Sequence, residues 1–209
     1  MPRLTHRRSL SANALYPLPV RRPTHLLTHL LKAVIYALII LSISSTLIAR
    51  YRIEQTSMEP NFYPGQRVLV SQAGRTLGGW ISGSAYAADP GATAAAGLQR
   101  GQIVVFYETD DQRVPPLIKR LIGLPGDQVA IRDGGVFIND SRLPEPYLVG
   151  TTECSLYCNV TLGANEYFFM GDNRPVSQDS RQFGPVLGDH VVGRVVLRFW
   201  PIDQLSLFL

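Results

Sequence analysis

Seventeen consecutive residues without a charge, Ala33 to Ala49 (AVIYALIILSISSTLIA), follow directly on a tail that holds only positive charge. As a helix rising about 1.5 Å per residue, the run covers roughly 26 Å, slightly less than a hydrocarbon core of about 30 Å. Leu30 and Leu31 extend it if the Lys32 amine snorkels to the headgroups. The basic flank is expected to stay cytoplasmic, which puts everything after Arg50 on the other face of the inner or plasma membrane. The expected organisation is a basic tail over residues 1–29, a single transmembrane anchor over 30–49, and an exported domain over 50–209. A cleaved leader is the alternative. Ser42-Ile43-Ser44 supplies a small-x-small site behind a nine-residue apolar run, but the apolar segment continues past it.

The charge balance follows the same division. The formal net charge is +4, and Arg3, Arg7, Arg8, Arg21, Arg22 and Lys32 contribute +6 with no acid before position 33, so the rest sums to −2. The basic excess belongs to the tail and not to a folded surface, which argues against nucleic acid as a partner and for the lipid bilayer. Cys154 and Cys158 both fall on the exported side. A small-loop disulfide and two free thiols are both open readings. Two thiols without nearby histidines make a poor zinc site, and neither a metal nor a cofactor is expected.

Beyond the anchor the periodicity is that of strands. Val68–Val70, Gln102–Tyr107, Leu117–Ile122, Tyr167–Met170 and Val191–Phe199 read as strands. Leu124-Pro-Gly-Asp127 has proline and glycine where a type II turn wants them. Gln128–Arg132 and Val136–Asn139 flank Asp133-Gly-Gly135, a hairpin signal. Residues 73–99 are rich in small residues and lack a period, as an insertion does. Within them Trp80-Ile81 packs on the domain or dips into the membrane interface. The expected fold is mainly β, an antiparallel domain whose loops carry function.

Of four histidines, only His190 is exported, which removes histidine-rich metal sites and H-E-x-x-H. Its setting between a turn and an apolar strand reads as structural, so a Ser-His-Asp triad is disfavoured. A hydroxyl can instead be activated by a neutral lysine. Half-neutrality at pH 7 requires a lysine pKa lowered by about 3.4 units, about 4.6 kcal/mol, which burial away from carboxylates can supply. Lys119 is the one lysine after the anchor, embedded in PPLIKRLIGLP. On a strand it and Arg120 face opposite sides. The candidate nucleophile is Ser57 in QTSMEP, eight residues past Ala49 and so within about 28 Å of the anchor's end. Asp172, Asn173, Arg174, Ser177, Asp179, Ser180 and Arg181 crowd one loop, denser than a solvated turn needs.

Taken together these residues resemble type I signal peptidases, the Ser-Lys proteases. Ser57-Met-Glu-Pro60 is similar to the nucleophile box, Arg100-Gly-Gln-Ile-Val-Val-Phe106 to an R-G-D-hydrophobic strand with Gln102 in place of the acid, and Lys119-Arg-Leu-Ile-Gly-Leu-Pro-Gly-Asp127 to the general-base box. Gly171-Asp-Asn-Arg174 with Ser177, Asp179, Ser180 and Arg181 resembles G-D-N-R-x-x-S-x-D-S-R. The resemblance implies a β fold shared with LexA-like peptidases and cleavage of signal peptides from exported preproteins after small-x-small sites. It implies Ser57 as nucleophile, Lys119 as base, Ser177 hydrogen-bonded to the lysine amine, and Asp179 with Arg181 and Arg120 as the supporting ion pairs. It also implies an oxyanion met by the Ser57 N–H, since Gln55 stands where some members carry a second hydroxyl donor. The substrate would add as a strand in a groove walled by residues 52–57 and Pro115–Lys119, with Gln55, Met58, Pro116, Leu117 and Ile118 as contacts. A LexA-type repressor would need a DNA-binding domain and no membrane span, the reverse of this chain. A catalytically inactive tethered β domain that binds exported chains would tolerate loss of Ser57 or Lys119, and both are present.

Overall fold

The computed structural model describes residues 28–38, 48–72 and 97–208. Residues 28–38 form a helix, α1, with its apolar side chains uncovered. Among the described residues no helix is long and apolar enough to cross a membrane. The middle of the expected anchor, residues 39–47, lies outside the described residues, as do most of the basic tail, residues 73–96 of the insertion and Trp80-Ile81.

The last two residues of the expected anchor are strand and not helix. Ile48 and Ala49 open β1 (Ile48–Arg52), which pairs antiparallel with β2 (Arg67–Ser71). The cause is the partner strand: Ala49 and Tyr51 face inward against Val68 and Val70, while Ile48, Arg50 and Arg52 face out. Polar and apolar residues alternate there with the period of a strand.

The main sheet among the described residues has eight strands, in the order β1-β2-β11-β3-β4-β9-β10 with β12 beside β11. They are β3 (Ile103–Phe106), β4 (Leu117–Gly123), β9 (Glu166–Met170), β10 (Val186–Leu187), β11 (Val191–Trp200) and β12 (Ser206–Leu207). All pairings are antiparallel, as the sequence leads one to expect. A second sheet, β7-β6-β5-β8, is built from β5 (Gln128–Arg132), β6 (Gly135–Ile138), β7 (Ser141–Arg142) and β8 (Asn159–Thr161).

Local chemistry sets the corners. Asp127 N–H closes on the Leu124 carbonyl at 3.0 Å with Gly126 at φ +83°, the type II turn that Pro125-Gly126 favours. Asp133 and Gly134 both have positive φ, and Arg132 pairs with Gly135, so the hairpin turns through two left-handed residues as a type I′ turn does. Arg100 clamps the first corner, donating to Asp127 Oδ2 at 2.9 Å and to the Ile122 carbonyl.

Three apolar clusters fill the interior. Ile53, Met58, Phe62, Val68, Val70, Ile103 and Val105 pack on one face of the main sheet. Val104, Phe106, Leu121, Tyr167 and Phe169 pack on the other. Ile122, Phe168 and Met170 join Val129, Ile131, Val136 and Ile138 between the two sheets. Gly123 permits that last junction, because a Cβ there would lie 2.6 Å from Leu162 Cδ1. Cys154 and Cys158 form a disulfide, which resolves the two readings left open by their spacing.

Candidate active site

Ser57 sits in the turn after β1 and is only 5% exposed. Met58 and Phe62 are fully buried on either side of that turn, and Phe62 N–H bonds the Met58 carbonyl at 2.9 Å, so the core itself holds the loop. Asn173 fastens it from across the chain: its N–H donates to the Ser57 carbonyl at 3.0 Å, and its Nδ2 to the Thr56 carbonyl at 3.2 Å. Among the described residues no acceptor takes the Ser57 N–H. The Ser57 hydroxyl is likewise buried without a hydrogen-bond partner.

Lys119 lies mid-way along β4, paired across to Val104, and is 1% exposed. No carboxylate pairs with its amine among the described residues. Burial lowers its pKa from 10.5 to about 8. Asp179, Asp172 and Glu108 pull that value back up from a distance, and Arg181 pushes it down. The strand places Arg120 on the opposite face. There it grips Asp172 with Nε to Oδ1 at 2.7 Å and Nη2 to Oδ2 at 2.5 Å, donates to the Gly101 carbonyl at 2.8 Å, and stacks over Tyr147 at 3.8 Å. Asn61 Nδ2 adds a bond to Asp172 Oδ2 at 2.9 Å.

The loop after β9 brings the rest together. Gly171 lies between the Ser57 carbonyl and the Ser177 side chain, so close that a Cβ on it would be 2.5 Å from the first and 2.2 Å from Ser177 Oγ. The Ser177 hydroxyl is buried and unpaired, like that of Ser57. Asp179 caps α2 (Ser180–Phe183), accepts the Gly171 N–H at 3.0 Å, and is held by Arg181 through Nε and Nη2, each at 2.9 Å. Ser180 Oγ accepts the Phe169 N–H at 3.0 Å and ties the loop to β9. Arg174 donates through Nε to the Gly171 carbonyl at 2.9 Å, and binds Glu145 at 2.5 Å and the Thr152 hydroxyl. Glu145→Gln is expected to cost about 2 kcal/mol, since it leaves a buried guanidinium with a neutral partner; equilibrium denaturation measures this.

Several sequence expectations need adjustment at this level. Arg120 pairs with Asp172 and not with Asp179, because β4 turns it to the face away from Lys119. Neither serine hydroxyl is hydrogen-bonded here, so the expected bond from Ser177 to the lysine amine is not made in this structure. Gln55, Pro116 and Ile118 line one cleft of about 390 Å³ with Arg50–Glu54, Val105 and Pro115. Met58 is absent from that cleft because its side chain is core. Leu117 packs behind β4 against the Val104 and Phe106 cluster. His190 binds Asp110 at 2.9 Å, and no group of three or more potential metal ligands exists among the described residues. Glu145, Thr152 and Asn61 carried no sequence signal, being ordinary polar residues in loops far from the motif they support.

A buried lysine amine without a paired carboxylate and two buried hydroxyls without partners are groups of the kind that acyl transfer with a lysine base uses. The chain is also similar to known proteins. The family model described as signal peptidase, peptidase S26, matches residues 26–200. Signal peptidase IB of Staphylococcus aureus is 30% identical over 200 residues, covering 87% of this chain and 93% of that one. A probable signal peptidase I-2 of Synechocystis sp. is 34% identical over 163 residues, covering 76% and 66% respectively. The crystal structure of a signal peptidase I from Enterococcus faecalis matches with TM-score 0.41 and 34% identity, over 46% of this chain and 95% of that one.

Proposed function

The chain belongs to the signal peptidase family, peptidase S26, and from that premise we propose that Ser57 and Lys119 are the catalytic dyad with which this serine endopeptidase cleaves signal peptides from preproteins. The observation that carries the assignment is the lysine amine, buried without a paired carboxylate, which lowers its pKa to about 8.

The preprotein strand lies along β1 and the start of β4, in the cleft that holds Gln55, Pro116 and Ile118. Neutral Lys119 takes the proton of Ser57 Oγ as the oxygen attacks the scissile carbonyl. The Ser57 N–H, uncommitted within the described fold, meets the developing oxyanion. The ammonium of Lys119 then protonates the leaving amine, and the same lysine draws a proton from the water that releases the acyl-enzyme. Ser177 orients the amine once both move into contact. The Asp179–Arg181 and Asp172–Arg120 pairs keep the walls fixed. Residues 30–47 tether the domain to the membrane with the basic tail cytoplasmic and the catalytic domain outside; the uncovered apolar side chains of α1 support that reading.

The test is cleavage of a preprotein by the purified full chain. The product should begin after a small-x-small site, and kcat/KM should rise with pH through a midpoint near 8. The sign follows from the base being active only when neutral: with a pKa of about 8, about a tenth of the lysines are neutral at pH 7. A rate that peaks near pH 5 contradicts the assignment.

A further inference from the structure

The loop closed by the Cys154–Cys158 disulfide supplies no group to the reaction, yet it grips one of the residues that supports it. The main-chain carbonyl of Arg181 accepts three hydrogen bonds from this loop: Ser155 Oγ at 2.9 Å, Leu156 N–H at 3.0 Å and Tyr157 N–H at 3.0 Å. In return Arg181 Nη1 donates to the Glu153 carbonyl at 3.0 Å. On the far side the Cys158 carbonyl accepts the Ile131 N–H of β5 at 2.7 Å, and Cys154 packs against the apolar cluster between the sheets. The ring of Tyr157 lies against Gly184, which ends α2.

These donors have little burial of their own to hold them. Leu156 is 76% exposed and Tyr157 41% exposed, so the apolar effect does not fix the loop. The cross-link does so by removing conformations that an open loop would sample. From Arg181 the connection to the site is short. Its guanidinium holds Asp179 and the Arg174 carbonyl, Asp179 holds the Gly171 N–H, and Gly171 touches both Ser57 and Ser177.

We propose that Cys154 and Cys158 are positioning residues of the peptidase reaction: their disulfide keeps the 153–158 loop clasped on Arg181 and thereby sets the place and charge of the Asp179–Arg181 pair beside the lysine base. The inference rests on the dyad assigned above. Opening the clasp frees Arg181, whose positive charge holds down the proton affinity of Lys119, and leaves Asp179, which raises it, less neutralised. Asp172 and Glu108 also raise it and are untouched by the loop. Both changes act in one direction, towards a more basic lysine.

The full chain is assayed for preprotein cleavage with and without dithiothreitol, which gives the disulfide two electrons and two protons and leaves two thiols and its own cyclic disulfide. The expected result is a fall in kcat of about tenfold or more near neutral pH, with KM little changed, and a rate–pH midpoint displaced to higher pH. Reoxidation restores both. A Cys154→Ser, Cys158→Ser double variant reproduces the reduced values and ignores the reductant; if it does not fold, reduced wild-type protein decides alone. Unchanged kcat on reduction overturns the proposal, and so does lost activity at an unmoved midpoint, the signature of a merely structural strap. Failure of the oxidised protein to cleave at all would instead count against the dyad.

Discussion

Lys119→Met is expected to abolish preprotein cleavage and, at the same time, to make the protein harder to unfold. On the proposed dyad, loss of Lys119 removes the proton acceptor for Ser57, and roughly 10⁴-fold in kcat should go with it. Ser57→Ala should be equally inactive. The gain in stability follows from linkage. The unfolded lysine titrates near 10.5 and the folded one near 8, so below pH 8 the native state carries a buried ammonium at a cost of roughly 3 kcal/mol. Between about pH 8 and 10.5 the unfolded chain binds a proton that the native state does not, and wild-type stability rises with pH across that window. The methionine variant should lack that slope and should start from the higher value, because its side chain is apolar and of similar length. Denaturation midpoints of both proteins at pH 7 and pH 10, beside cleavage rates, test it. A variant that cleaves normally refutes the lysine as base, and one less stable than wild type at pH 7 refutes the buried charge.

The second large effect is expected at a residue with no side chain. Gly171→Ala puts a methyl 2.2 Å from Ser177 Oγ, 2.5 Å from the Ser57 carbonyl oxygen and 2.6 Å from Ser177 Cβ. A serine hydroxyl can rotate, but the carbonyl oxygen is fixed by Asn173 and cannot. The loop must move by an ångström or more, and on the proposed dyad a displacement of that size at Ser57 or Ser177 is expected to cost about 100-fold in kcat. The overpacking should cost about 1–3 kcal/mol in stability. Cleavage kinetics and a urea titration report the two effects separately. Turnover like wild type would mean that Gly171 does not set the spacing between Ser57 and Ser177.

Seven strands and two turns were legible in the sequence because each is coded locally, whereas β1 and the short strands β7, β8, β10 and β12 were not. Val68–Val70 and Val129–Ile131 are short apolar runs rich in β-branched residues, Pro125-Gly126 and Asp133-Gly134 carry the backbone angles of their turns, and Lys119 and Arg120 on one strand must face opposite ways. Ser57, Lys119 and the 171–181 loop were legible as separate pieces. What the sequence hid are relations made only by the fold. Nothing near Arg120 says that its carboxylate is Asp172 and not Asp179. Met58 reads as a candidate substrate contact beside Ser57 until the core closes on it. Glu145 and Asn61 acquire a role only because loops distant in sequence converge on Arg174 and Asp172. Ile48 and Ala49 continue an apolar run by composition, yet pairing with Val70 and Ser71 claims them for a strand.

Strand β11 has a consequence for the order in which this protein becomes active. It lies between β2 and β3, although about ninety residues of chain beyond β3 must be made before it exists. A chain delivered N-terminus first therefore presents Ser57 early but cannot close the main sheet until residue 200 has arrived. Contacts of such separation are slow to form, and Asn173, which pins the nucleophile turn, also comes late. Until then the strands that flank Ser57 and the strand that carries Lys119 have no common wall. On the proposed dyad, cleavage is therefore expected to begin only after β11 has joined the main sheet.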